Sequence, residues 1–159
     1  MDILTTRGQE FVEHEAKAVS FIREACPGST IYHTPIDKPA SLDLVSIRDG
    51  AVYSVAEIKS RNSTIAEMQE WGSLILTYTK VDALRCVAMS LHVPAFVVLY
   101  LIPEDAVAVA RLVHPGGELV APITRQTSKT QRSCNGGEAV RVNAYIPLAL
   151  FREVRPTDF

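Results

Sequence analysis

Residues 41–59 read Ser-Leu-Asp-Leu-Val-Ser-Ile-Arg-Asp-Gly-Ala-Val-Tyr-Ser-Val-Ala-Glu-Ile-Lys. Two stretches, 41–47 and 51–59, are mostly apolar and β-branched, and Arg48-Asp49-Gly50 between them is a turn signal of the kind that closes hairpins. Glu57 and Lys59 are two apart on a strand, so their side chains leave one face. The face taken by Asp43 depends on the turn. A two-residue Asp49-Gly50 loop pairs Asp43 with Ala56 and sends it to the face opposite Glu57. A three-residue loop with Gly50 left-handed pairs Asp43 with Val55 and gathers Asp43, Glu57 and Lys59 on one face.

The flanking residues Leu42, Leu44, Val45, Val55, Ala56 and Ile58 imply a half-buried setting. An unpaired charge there costs on the order of several kcal/mol. Two carboxylates and an ammonium on such a face build a poor core, but they suit a divalent cation held beside a phosphate. Mg²⁺ takes one or two carboxylates together with water and phosphate oxygens. Asp43 and Glu57 are a sufficient protein share, and the backbone carbonyl of Ile58 offers a third oxygen. Lys59 then stands where it can orient water or neutralise phosphate charge. The competing reading is a surface hairpin with a solvated Glu57–Lys59 face, common on half-exposed strands.

With these residues the chain resembles the PD-(D/E)XK nuclease superfamily, the restriction-endonuclease-like fold. The resemblance covers about residues 7–101 and is closest in layout to small archaeal Holliday-junction resolvases. It runs through a helix with an acidic residue, Leu42-Asp43-Leu44-Val45, a turn, Val55-Ala56-Glu57-Ile58-Lys59-Ser60-Arg61, then a strand, a helix and another strand. One departure is visible: Asp43 follows Leu42 rather than Pro, and Asp37, between Pro35 and Pro39, is a rival for the metal ligand. The resemblance implies a central mixed β-sheet flanked by helices, an αβββαβ core with a C-terminal β extension. It also implies a Mg²⁺-dependent nuclease, with Mn²⁺ as substitute, that cuts DNA. Asp43, Glu57 and Ile58 would hold the metal, and Asp43, Glu57, Lys59 and a first-helix acid, Glu15, would form the catalytic set. The alternative is a catalytically silent module of the same fold that binds nucleic acid or a protein partner. Cutting two strands together needs two active sites, which would call for a homodimer.

Composition sets the bounds. The chain has 159 residues, which reads as one domain over 1–159, with a core at about 7–101 and an extension at about 102–159. A net charge of −2 argues against a protein that coats nucleic acid in bulk, but not against an enzyme with a local basic surface. Cys26, Cys86 and Cys134 have no metal-site spacing and suggest free thiols in a reducing compartment. The longest apolar run, 95–102, is far short of a membrane span. The expectation is a cytoplasmic protein with no membrane partner. The four histidines, His14, His33, His92 and His114, are scattered without triad or ligand spacing and are assigned no chemistry.

Along the chain, Phe11, Val12, Val19 and Ile22 predict a helix over about 6–25. Glu15 lies four after Phe11 and four before Val19, which puts it on the apolar face; Glu10 is the alternative acid. A strand at Thr30–His33 precedes the hairpin. Thr64-Ile65-Ala66-Glu67 has capping-box form and opens a short helix that stops at Gly72. Leu74–Tyr78 reads as a strand, and Lys80–Leu91 as a helix with Val81, Leu84, Val87, Ala88 and Leu91 in period. Ala95–Ile102 reads as a buried strand parallel to Leu74–Tyr78. Lys80, at the first turn of its helix, reads plainly as a solvated lysine poorly placed for the helix dipole. In the resembling nucleases such a residue sits near the phosphate. Ala106–Val113 returns antiparallel. Residues 124–137 are polar, carry Arg125, Lys129 and Arg132 with no acidic residue, and read as a loop or mobile arm. With Arg61 and Lys80, these are the cations expected to touch a nucleic-acid backbone. A strand over Val140–Ile146 and a short terminal helix close the chain.

Overall fold

The computed structural model describes residues 6–35, 40–129 and 140–154. In order these form α1 (Thr6–Ala25), β1 (Thr30–His33), β2 (Leu44–Arg48), β3 (Ala51–Arg61), α2 (Ile65–Trp71) and β4 (Ser73–Thr77). Then come α3 (Tyr78–Leu91), β5 (Ala95–Leu101), β6 (Ala106–Val113), β7 (Thr124–Lys129), β8 (Val140–Pro147), a 3-10 turn at Leu148–Leu150 and β9 (Arg152–Val154). Six strands make one mixed sheet in the order β1-β2-β3-β5-β6-β9, and three make a second, β4-β8-β7. In the larger sheet β3 and β5 run parallel, and each of the other neighbouring pairs is antiparallel. The run α1-β1-β2-β3-α3-β5 therefore reproduces the expected αβββαβ order. Among the described residues no helix is long and apolar enough to cross a membrane.

Apolar residues on both faces of β3 and β5 explain why helices cover the large sheet on two sides. Ala56, Ile58, Val98 and Tyr100 pack against Ala18 and Val19 of α1. Val55, Val97 and Leu99 lie in the other cluster, with Val81, Leu84 and Ala88 of α3. Alternation along β3 thus decides which helix each side chain meets.

The hairpin takes its turn from one sequence reading and its shared face from the other. Arg48 pairs with Ala51, so the loop is the two-residue Asp49-Gly50, and both residues have positive φ, 51° and 78°. This is the backbone that two-residue hairpins favour, and Asp followed by Gly suits it. Left alone, the turn would put Asp43 on the wrong face. A bulge corrects it: Ser46 pairs with Ser54 but Ile47 pairs with Val52, leaving Tyr53 as the extra residue. Leu44 then faces Ala56, and continuing that register sets Asp43 opposite Glu57.

Three further expectations are corrected. The strand after α2 does not lie parallel to β5; β4 pairs antiparallel with β8, from Ser73–Pro147 to Thr77–Asn143. Its alternation explains this, since Leu74 and Leu76 are buried while Ile75 is exposed, a pattern made for a sheet with one covered face. The segment read as a loop from Thr124 is a strand as far as Lys129, paired with β8. Its backbone bonds to β8 stand in for the apolar anchors it lacks. Arg132 and the rest of that segment to 137 lie outside the described residues, as does Asp37. The terminal helix is a single 3-10 turn, after which β9 covers the edge of β6.

Candidate active site

The site begins where β2 and β3 part. Asp43 still belongs to the ladder through its backbone: its N–H donates to the Ala56 carbonyl at 2.9 Å, and its own carbonyl accepts from Thr34 N at 2.9 Å. One residue further on, the Asp43 side chain takes over from the strand. Asp43 Oδ2 accepts from the Ile58 N–H at 2.8 Å, satisfying a backbone donor that has lost its strand partner. The Ile58 carbonyl accepts from Lys59 Nζ at 2.9 Å. On the other side β3 continues beside β5 to the Arg61–Leu101 pair, which holds Glu57 and Lys59 rigidly.

Glu57 is fully buried, at 0% exposure. Burial raises its pKa; the charge of Lys59 opposes that and Asp43 adds to it. Two ammonium groups compensate the carboxylate: Lys59 Nζ donates to Oε1 at 2.6 Å and Lys80 Nζ to Oε2 at 2.9 Å. Lys80 also donates to the Ala40 carbonyl at 3.0 Å and lies 3.7 Å from Asp43 Oδ1. Burial alone would lower the pKa of Lys80, but the hydrogen bond and charge of Glu57, aided by Asp43, raise it. The plain reading of Lys80 as solvated is therefore wrong. The apolar period of α3 places it on the buried side of the first turn, and the carboxylates outweigh the helix dipole there.

Glu15 enters from α1. Its pKa is pushed up to about 7, first by burial and then by Asp43, with Lys59 pulling the other way. It therefore senses the charges of the hairpin, and its Oε2 lies 3.5 Å from His33 Nε2. His33, at the end of β1, is a residue to which sequence spacing gives no chemistry. The signal that could have found it is its position: last residue of the strand next to β2, paired with Leu44 beside Asp43. Burial lowers its pKa. Glu10, the alternative acid, is exposed and lines a groove instead.

That groove runs from the end of β3 between α1 and the β7–β8 hairpin. It is lined by Phe11, His14, Ser60, Arg61, Lys129 and Asn143, among others. Arg61 donates to the carbonyls of Ser60 at 2.9 Å and Ile75 at 3.1 Å. Arg125 lies elsewhere, with its guanidinium 3.7 Å from the ring centre of Tyr78 in the first turn of α3. The suggested backbone-binding cations are thus split: Lys80 in the carboxylate cluster, Arg61 and Lys129 in the groove, Arg125 on Tyr78, and Arg132 outside the described residues.

The oxygens available to a cation are hard ones: Asp43 Oδ1, both Glu57 oxygens and the Ile58 carbonyl. Two ammonium groups already hold most of them, at hydrogen-bond distances, so cationic charge belongs in this cluster. Among the described residues no three Asp, Glu, His or Cys side chains converge as a ready-made metal cage. The donor set fits Mg²⁺, which keeps several waters, better than an ion needing a full protein shell.

No protein-family model matches the chain, and no curated protein matches it. Among solved structures it is similar to Hjc, a Holliday junction resolvase from the archaeal hyperthermophile Archaeoglobus fulgidus. The likeness is broad and loose. It covers 89% of this chain and 88% of that one at 16% identity, with a TM-score of 0.45.

Proposed function

We propose that this chain is a divalent-metal-dependent nuclease that hydrolyses phosphodiester bonds in DNA, with Mg²⁺ as its ion and Mn²⁺ as a substitute. The observation that carries the reading is the fully buried Glu57 sharing its face with Asp43, Lys59 and Lys80 at the open end of a hairpin. A structural ion pair has no need of a bulge that turns a second carboxylate onto that face. Asp43 and Glu57, with the Ile58 carbonyl, would hold the ion, which supplies Lewis acidity and an activated water when bound. Lys59 neutralises charge growing on the phosphate, and Glu15, partly protonated near neutral pH, takes or gives a proton at its carboxylate. DNA as the substrate and an endonucleolytic cut follow the motif resemblance. A cytoplasmic setting follows the cysteine pattern, and a dimer would supply the two sites needed to cut two strands.

The test is metal-dependent cleavage of a panel of DNA forms, namely duplex, single strand, flap and four-way junction, with and without Mg²⁺ or Mn²⁺. One observation favours the rival reading of a silent binding module: both Glu57 oxygens are already neutralised by lysines. Binding to the panel with no cleavage in either ion, at any protein concentration tried, would select that rival.

A further inference from the structure

Lys80 makes contacts that a helix-initial lysine has no local reason to make. Its Nζ is met by oxygens of three residues far from it in the chain: Glu57 Oε2 at 2.9 Å, the Ala40 carbonyl at 3.0 Å and Asp43 Oδ1 at 3.7 Å. Two of the three belong to the carboxylates assigned above as ligands. Lys59 sits on the other Glu57 oxygen and the Ile58 carbonyl. The space between Asp43 and Glu57 is therefore held by Lys80, and an ion bridging the two carboxylates needs those same oxygens. A divalent ion seated on the same oxygens as the Lys80 ammonium would repel it strongly, because water screens little at such short range there.

We infer that Lys80 is the resident counter-ion of this site, standing between Asp43 and Glu57 in the ion-free protein and exchanging with the divalent ion on loading. The inference rests on the metal-site reading and extends it to the residue that sets the ion's affinity. In the ion-free protein Lys80 keeps the buried Glu57 compensated and ties the start of the hairpin, at Ala40, to α3. On loading, the ammonium leaves the carboxylates and is free to meet an anionic ligand. Lys80 is thus a positioning residue whose removal should help the ion and harm the empty protein. Removing a merely structural lysine would harm the empty protein without helping the ion.

The experiment uses the full chain and Mn²⁺ alone, with no nucleic acid. Mn²⁺ affinity is read by paramagnetic resonance of the free ion and by calorimetry, and melting of the ion-free protein is followed in parallel. Lys80→Gln keeps a donor for Glu57 and Ala40 but removes the charge. It should bind Mn²⁺ at least tenfold more tightly than wild type while melting several degrees lower without the ion. Lys80→Arg, which keeps the charge, should bind no more tightly than wild type. Equal or weaker Mn²⁺ binding by Lys80→Gln overturns the inference. If that variant does not fold, wild type decides: nitrogen-15 signals of the lysine ammonium groups should show Lys80 released as Mg²⁺ is added. A Lys80 signal that stays unchanged while the ion binds overturns the inference as well. Absence of Mn²⁺ binding in wild type and both variants would instead strike the metal-site reading itself, and the inference with it.

Discussion

The end of β3 and the whole of β7 are both strands written largely in polar residues, and the fold treats them in opposite ways. In β3, Glu57 is fully buried, Lys59 is half-buried, and their charged atoms meet named partners within 3 Å. In β7, Thr124 through Thr127 and Lys129 are exposed, with only Ser128 partly covered. An exposed polar strand needs little beyond a neighbour to bond to. A buried one must be compensated group by group, and here the compensation comes from Lys80 of α3, from Asp43 just before β2 and from the strand's own lysine. Charge that a fold goes to such lengths to bury is the stronger pointer to function.

The largest effect expected is therefore at Glu57. Removing one partner of a buried pair costs about 3–5 kcal/mol, and Glu57→Ala leaves two ammonium groups facing an apolar hole. A substantial loss of stability in denaturant titration, with no residual cleavage, is expected; a variant as stable as wild type would show that burial here is not the liability described. Next is Asp43→Asn, which keeps an oxygen for the Ile58 N–H. Cleavage should fall by orders of magnitude and the Mg²⁺-induced rise in melting temperature should vanish, while the ion-free protein changes by about 1 kcal/mol or less. A destabilised protein that still responds to Mg²⁺ would make Asp43 structural.

Glu15 gives a pH signature of intermediate size. Its pKa is raised from 4.5 to about 7 in the folded protein, so the folded state binds more protons than the unfolded state between those values. Stability should fall as pH rises through that window, and the loss should be complete above it. Glu15→Gln removes this contribution, leaving a flatter profile. Glu57 slopes the same way and His33, with its lowered pKa, the opposite way, so the difference between the two proteins isolates Glu15. Identical profiles would place Glu15 in solvent. The smallest stability effect belongs to β7. Arg125→Ala with Lys129→Ala should change stability by about 1 kcal/mol at most, yet weaken DNA binding and make it less salt-dependent, by a slope of about 0.9 for each phosphate no longer neutralised. Unchanged salt dependence would leave β7 a scaffold.

Much of this was legible in the sequence, wherever local pattern carries the information. The spacing along α1, the strand at Thr30–His33 and the Thr64–Glu67 capping box with Gly72 closing the helix all form as read. The apolar residues around Asp43 and Glu57 likewise announce a buried hairpin. Partners are another matter. Leu74 and Leu76 say strand but not which sheet, and the run 124–129, without an apolar anchor, gives no sign of a strand that β8 will recruit. Nothing near Lys80 in the sequence reveals that Ala40 and Glu57 will converge on it, and His33 meets Glu15 only once β1 lies beside β2. Pairing over distance, not propensity, is what the sequence withheld.

Tyr53 turns that lesson into a rule of register. One unpaired residue in β3 and a two-residue turn together bring Asp43 round to Glu57. Deleting Tyr53 should remove the bulge and leave a regular ladder behind the same two-residue turn, with Ile47 still on Val52, Ser46 on Ser54 and Asp43 opposite Glu57, so the cluster should survive. Losing the bulge while keeping Tyr53 is the damaging change, because the unbulged two-residue turn slips Asp43 opposite Ala56 and onto the other face. A shortened hairpin should therefore be tolerated where a straightened one of full length is not.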